Sequence, residues 1–151
     1  METVEGRAVM GWIESNSKGF NEALQKGIKN GLTKIGMKAE TYAKQLAPTD
    51  TGLLRNSVTY AIGGEQPHIR KYYDDAGANS GKYAGVAPAD STGQTTLYIG
   101  SNVNYAPFQE LGHHTTKGTW IEPQEFIGPS IEGHRTEYQN ILKAEVENAL
   151  R

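Results

Sequence analysis

Phe20, Leu24, Ile28, Leu32, Ile35, Ala39, Tyr42 and Leu46 recur at spacings of 4, 4, 4, 3, 4, 3 and 4. Only a helix keeps such a set on one face, because its period of 3.6 lies between the two spacings. The pattern predicts roughly seven turns of helix. Asn16 or Ser17 is placed to cap its start, and Pro48 stops it. Gly27, Gly31 and Gly36 fall inside it, and each costs about 1 kcal/mol against Ala. Such a helix depends on what it packs against. Gly31 on the stripe and Gly27 at its edge either let a sheet approach the backbone closely or are simply tolerated.

The rest of the chain supplies short strands and a second helix. Val58, Tyr60 and Ile62 alternate with Thr59 and Ala61, and residues 95–100 repeat the alternation. Trp120-Ile121 reads as a brief third strand. Phe126, Ile127, Ile131, Tyr138, Ile141, Leu142, Val146, Ala149 and Leu150 mark a helix from about residue 127 to the end, with Pro129 tolerable only in its first turn. The expected class is α+β: a small, mostly antiparallel sheet packed against a long N-terminal helix and a C-terminal helix. Residues 64–94, with five glycines and two prolines, form a long insertion, read as an extended hairpin or lobe that is functional or ordered by binding. Residues 1–16, with Val4, Val9, Met10, Trp12 and Ile13 among polar neighbours, read as an N-terminal arm or strand. The first six residues read equally as a frayed end. Residues 17–151 form a single domain.

Composition narrows the function. At 151 residues the chain has the size of one domain, and its formal net charge of -2 argues against a dedicated nucleic-acid binder. There is no cysteine, which removes disulfides and thiol chemistry. No apolar run reaches the ~18 residues of a membrane span. The acidic, polar start is unlike a signal peptide, so the product is expected to stay in the cytoplasm or in a particle assembled there.

The chemical motifs are weak. Asp50-Thr51-Gly52 matches the aspartic-protease triplet, where two such loops bring together carboxylates that share a proton. One copy would require a homodimer, and Asp50 reads better as the cap of a short helical turn through Leu54 and Arg55. The stretch from Gly77 to Tyr83 is like a phosphate loop, one residue short, with Tyr83 where Ser or Thr would bind magnesium. His113 and His114 are adjacent and would point oppositely in extended chain, while His68 and His134 are distant in sequence. Asp74 and Asp75, beside Lys71 and Lys82, read as a solvated charged loop. No catalytic residue, cofactor ligand or metal site is expected. Loop aromatics are different, because aromatic residues are favoured at protein contacts. Trp12, Tyr72, Tyr73, Tyr83 and Trp120 are therefore candidate interface residues, while each of the loop aromatics taken singly reads equally as packing under a long loop.

The stretch Asn104-Tyr-Ala-Pro-Phe-Gln-Glu-Leu-Gly112 reads as one or two helical turns. Pro107 sits in the first turn, and Tyr105, Phe108 and Leu111 share one face. Gly112 occupies the position past the end, where positive φ is common.

Four features in order resemble one family. They are the helix ending in Ala47-Pro-Thr-Asp-Thr-Gly-Leu-Leu-Arg-Asn-Ser57, the strand ending Tyr98-Ile-Gly-Ser-Asn102, the Tyr105–Gly112 segment, and Pro123, Phe126, Pro129 and Ile131 leading into the last helix. Together they look like the small neck, head–tail joining and tail-completion proteins of tailed bacteriophages. The resemblance runs from about residue 17 to the end. It departs at Leu111, where the family usually has a bulky aromatic, and at the longer insertion of residues 64–94. Residues 1–16 have no counterpart.

The resemblance implies a structural virion protein of a phage or prophage, made in the host cytoplasm, that forms or joins a ring at the head–tail junction. Its partners would be copies of itself and adjoining neck, portal or tail proteins, with DNA only a passing strand in a channel and no membrane. The family's motif positions imply scaffold roles. Pro48, Asp50, Gly52 and Leu54 would link helix to sheet. Tyr105, Pro107, Phe108, Glu110 and Gly112 would pack on it, and Pro123, Phe126 and Pro129 would lead into the last helix. A ring needs two unlike patches per subunit, and residues 1–16 and 64–94 are expected to supply parts of them. The alternatives are another morphogenesis or minor capsid role, and a dimeric aspartic protease using Asp50.

Overall fold

The computed structural model describes residues 4–63, 71–82 and 96–151, with side chains from Ser17 onward. The architecture is α+β, with a long N-terminal helix and a C-terminal helix on short antiparallel strand pairs.

Helix α1 spans Val4–Leu46, about 64 Å at 1.5 Å per residue. It starts well before Asn16 and Ser17, so neither caps it, and residues 4–16 are helical rather than a strand. Nothing in that stretch forbids helix: it has two glycines and no proline. The predicted stripe is buried through Leu32, Ile35 and Ala39, then passes to Ala43 and Ala47, while Phe20 and Leu46 stay exposed.

Beyond Pro48 come helix α2 (Leu53–Ser57) and strand β1 (Thr59–Ile62). Strands β2 (Lys71–Tyr73) and β3 (Ser80–Lys82) pair antiparallel, so the described part of the insertion is a hairpin. Strand β4 (Leu97–Gly100) pairs antiparallel with β1, Tyr60 opposite Ile99. Helix α3 (Ala106–Leu111) is followed by β5 (His113–His114) and β6 (Trp120–Ile121), a further antiparallel pair. Among the described residues, the expected single sheet is therefore three two-stranded pieces. The expected single last helix is also divided, into α4 (Ile127–Glu132) and α5 (Arg135–Ala149). The break falls at Gly133, a poor helix former, and at His134, whose ring stacks on Tyr42 at 3.6 Å between centroids.

Two buried clusters are laid along α1. Ala43, Ala47, Leu54, Val58, Tyr72, Val103, Ala106 and Phe126 make one. Ile35, Ala39 and Tyr138 make the other, and Ile99 packs against both. Burial pushes the Tyr138 phenol up to about 12, and its hydroxyl donates to the Ser130 carbonyl.

The glycines of α1 have a definite role. A Cβ at Gly27 would lie 2.9 Å from Val146 Cα, and one at Gly31 would lie 2.7 Å from a Leu142 methyl. These two glycines meet helix α5, not a sheet; only Gly36 faces β1, through the Tyr60 ring. At the same seam the Lys38 ammonium donates to Glu137 at 2.5 Å, Tyr42 donates to the other Glu137 oxygen at 2.8 Å, and Lys34 pairs with Glu145. The Lys38 and Tyr42 hydrogen bonds hold the Glu137 carboxyl below its ordinary range.

Close approach and helix propensity therefore pull in opposite directions along one helix. A Cβ at Gly19 would have nothing within 4 Å, so Gly19→Ala is expected to stabilise by up to about 1 kcal/mol. Gly27→Ala meets backbone and is expected to destabilise, because overpacking costs about 1–3 kcal/mol. Urea unfolding of the two variants checks the opposite signs.

Candidate functional site

Pro48 ends α1, and the chain turns through Thr49–Gly52 into α2. Gly52 has φ +83° and is the N-cap, with no side-chain cap. Asp50 therefore does not cap α2: the cap position belongs to a residue that must adopt positive φ, and Asp50 lies exposed two residues earlier. A Cβ at Gly52 would strike the Asp75 carboxylate at 2.4 Å, so the glycine also admits the β2–β3 turn. That turn is tied down by the Asp75 N–H donating to Thr51 O at 2.8 Å, by Arg55 pairing with Asp75 at 2.5 Å, and by the Asn56 amide donating to Tyr73 O at 2.7 Å.

Asp74 is buried, not solvated. Its carboxylate accepts from the Asn79 side-chain amide at 2.8 Å and from the Ala78 and Asn79 backbone N–H groups. The Asn79 side chain first, and then the backbone donors, hold it below its ordinary 3.8 against the effect of burial. Backbone donors of the phosphate-loop-like stretch are thus taken by the chain's own aspartate. Tyr72, expected at an interface, is in the core at 7% exposure. Its hydroxyl donates to Asn102 Oδ1 at 2.6 Å. The described part of the insertion is therefore no separate lobe: its hairpin contributes Tyr72 to the core. Tyr73 and Trp120 are exposed as expected. Tyr83 and the side chain of Trp12 lie outside the described residues.

Helix α3 is placed by Glu110. Its carboxylate accepts the N–H of Phe126 at 2.8 Å, of Ile127 at 3.0 Å and of Gly128 at 2.8 Å. Helix α4 has no cap of its own, so a side chain from another helix satisfies its first donors. Gln124 N–H adds a bond to Gln109 O at 2.8 Å. Phe126 is thereby held in the core, with Pro129 inside the first turn of α4. Pro123 is exposed on the approach. Pro107 is in the first turn of α3 as expected. Gly112 has the expected positive φ, but ψ 169° takes it out of the left-handed helical region into one that glycine alone readily adopts. A Cβ there would meet Ile121 O and the Trp120 ring at 2.7 Å.

The apolar face of α3 does not pack on the sheet. Ala106 is its buried residue, while Tyr105, Phe108 (54% exposed) and Leu111 (71%) face outward. Trp120 (44%) and Ile121 (42%) are exposed on the adjoining hairpin. The ring of His113 meets Phe108 edge-on, and that of His114 is tilted on Trp120. Beside α3, an open cleft of about 360 Å³ is lined by Pro48, Asp50, Leu53, Asn79, Tyr105 and Gln109, among others. Among the described residues, no group of three His, Asp or Glu could hold a metal ion, and no helix is long and apolar enough to cross a membrane. No family model matches this chain, and neither the curated proteins nor the solved structures include a significant match.

Two local tests follow from these contacts. Glu110→Ala orphans three backbone donors and is expected to cost about 1–3 kcal/mol by urea unfolding, with Glu110→Gln losing less. Asp74 has a lowered folded-state value, so its contribution is present above pH 3.8 and is lost as pH falls through that lower value. The Ala78 and Asn79 amide signals are expected to titrate together with a midpoint below 3.8 in an NMR acid series.

Proposed function

We propose that this chain is a structural virion protein of a tailed phage or prophage, forming or joining a ring at the head–tail junction. The observation that carries the reading is the uncovered apolar face of α3 and its hairpin. Phe108, Leu111, Trp120 and Ile121 are all more than two-fifths exposed, on a segment held rigidly by Glu110. Large apolar side chains left exposed together on one short helix and its adjoining hairpin support a contact site there. The motif residues that resemble the neck-protein family support the same reading by their roles. Gly52 and Leu54 shape the turn after α1, Glu110 caps α4, and Phe126 fills the core. They build a platform and leave side chains outward for gripping. The work of such a protein is association: copies of itself on one side, portal or tail components on the other, with DNA passing through. Its place is the virion, and the host cytoplasm during assembly.

The test is genetic and microscopic. Deleting the gene from the encoding phage is expected to give filled heads and separate tails, rejoined by the chain supplied in trans. The purified protein is expected to show concentration-dependent oligomers by light scattering, or to copurify with virions. Infectious, fully joined particles made without it would overturn the reading.

A further inference from the structure

The β5–β6 hairpin is built more firmly than an exposed loop requires. Thr115 N–H donates to Thr119 O and Gly118 N–H to Thr115 O, both at 2.8 Å, and Thr115 Oγ1 accepts a further bond from Thr119 N–H. Gly118 takes φ +81° to close the turn. An isolated two-stranded hairpin is marginal in water, yet this one presents Trp120 and Ile121 outward and carries Lys117 in its turn. Lys117 is exposed and has no ion pair among the described residues.

The cleft beside α2 has the opposite character. Among the described residues its lining contains one carboxylate, Asp50, which is exposed and likewise has no ion pair there. Pro48, Leu53 and Leu54 give it apolar walls, and Tyr105 closes one side. At about 360 Å³ it lies at the low end of the ~300–1,000 Å³ of enclosed ligand pockets, and it is open. It accommodates protruding side chains of a protein partner better than it encloses a small molecule.

Cleft and hairpin both adjoin α3. Tyr105 and Gln109 line the first, and Gly112 leads directly into the second. We propose that the hairpin of one copy docks in the cleft of a second copy, Lys117 meeting Asp50 while Trp120 and Ile121 cover Pro48 and Leu53. The two surfaces are unlike, and the exposed Lys117 of one is opposite in charge to the exposed Asp50 of the other, as a head-to-tail contact that repeats around a ring would use. This inference rests on the ring reading above and names the contact that reading lacks.

The chain has no cysteine, so single thiols can be placed without background. Thr51→Cys in the cleft and Thr116→Cys in the turn leave Asp50 and Lys117 intact. Mixing the two variants in whichever form assembles, free oligomer or virion, is expected to give a 51–116 disulfide dimer that neither gives alone. The double variant is expected to give a ladder. Lys117→Asp and Asp50→Lys are each expected to raise the half-assembly concentration about tenfold or more, and the combined reversal to bring it back within about threefold of the parent. Assembly without the 51–116 link, or reversals that fail to compensate, overturns this contact and leaves the ring reading standing. A chain that neither oligomerises nor copurifies with virions overturns both.

Discussion

The arrangement of the candidate surface depends on one carboxylate. Helix α4 begins at Phe126 and Ile127, residues with no side-chain acceptor to offer their own backbone. Glu110 supplies it from α3 and engages three successive N–H groups. A charged acceptor at the positive end of a helix is favoured by both the hydrogen bonds and the local dipole. The consequence is mechanical. Phe126 is held against Ala43 and Ala47 of α1, and α3 is pinned through its inward Ala106 and Glu110. Phe108 and Leu111, on its other sides, are left without cover.

The interior on which this rests is thin, and it is held by small residues and polar locks. Ala39, Ala43 and Ala47 are almost fully buried along α1, which lets neighbouring elements come close to its backbone. Gly27 and Gly31 do the same for α5. Where apolar volume is short, buried hydrogen bonds fix position: Tyr72 to Asn102, Asp74 to its turn, Tyr138 to Ser130. Each costs desolvation unless fully satisfied, so these contacts specify geometry more than they add stability. A platform fixed in this way presents its outer side chains in one arrangement.

The sequence carried the elements better than their connections. The stripe on α1, the β1–β4 pair and Pro129 at the start of the last helical region are periodic or punctuated signals, and all are present. The start of α1 at Val4 was hidden, because glycines weaken a helix without forbidding it and no breaker precedes Ser17. The split at Gly133–His134 depends on His134 meeting Tyr42, a long-range contact with no local trace. Asp50 followed the cap rule, but positive φ at Gly52 moved the cap two residues on. Tyr72 sits in a three-residue strand, too short for alternation to show which way it points. Glu110 stood in a motif, yet its partners lie 16 to 18 residues downstream, beyond any local pattern.

The face of α3 shows what periodicity leaves open. Residues 105, 108 and 111 define an apolar side, but spacing alone does not say which molecule covers it. Burying a large apolar side chain contributes about 1.5–3 kcal/mol. Phe108, Leu111, Trp120 and Ile121 are on average about half covered, so completing their burial would contribute about 3–6 kcal/mol together. Association itself costs about 4–15 kcal/mol in lost freedom. One such contact therefore falls at or short of break-even. On the ring reading this is a useful balance: a subunit held at two contacts by its neighbours, or offered a template, binds where a free pair would not, because the second contact is made at high effective concentration. On that reading a weak pairwise contact would keep the subunits apart until the junction is built, and a closed set of them would then hold together.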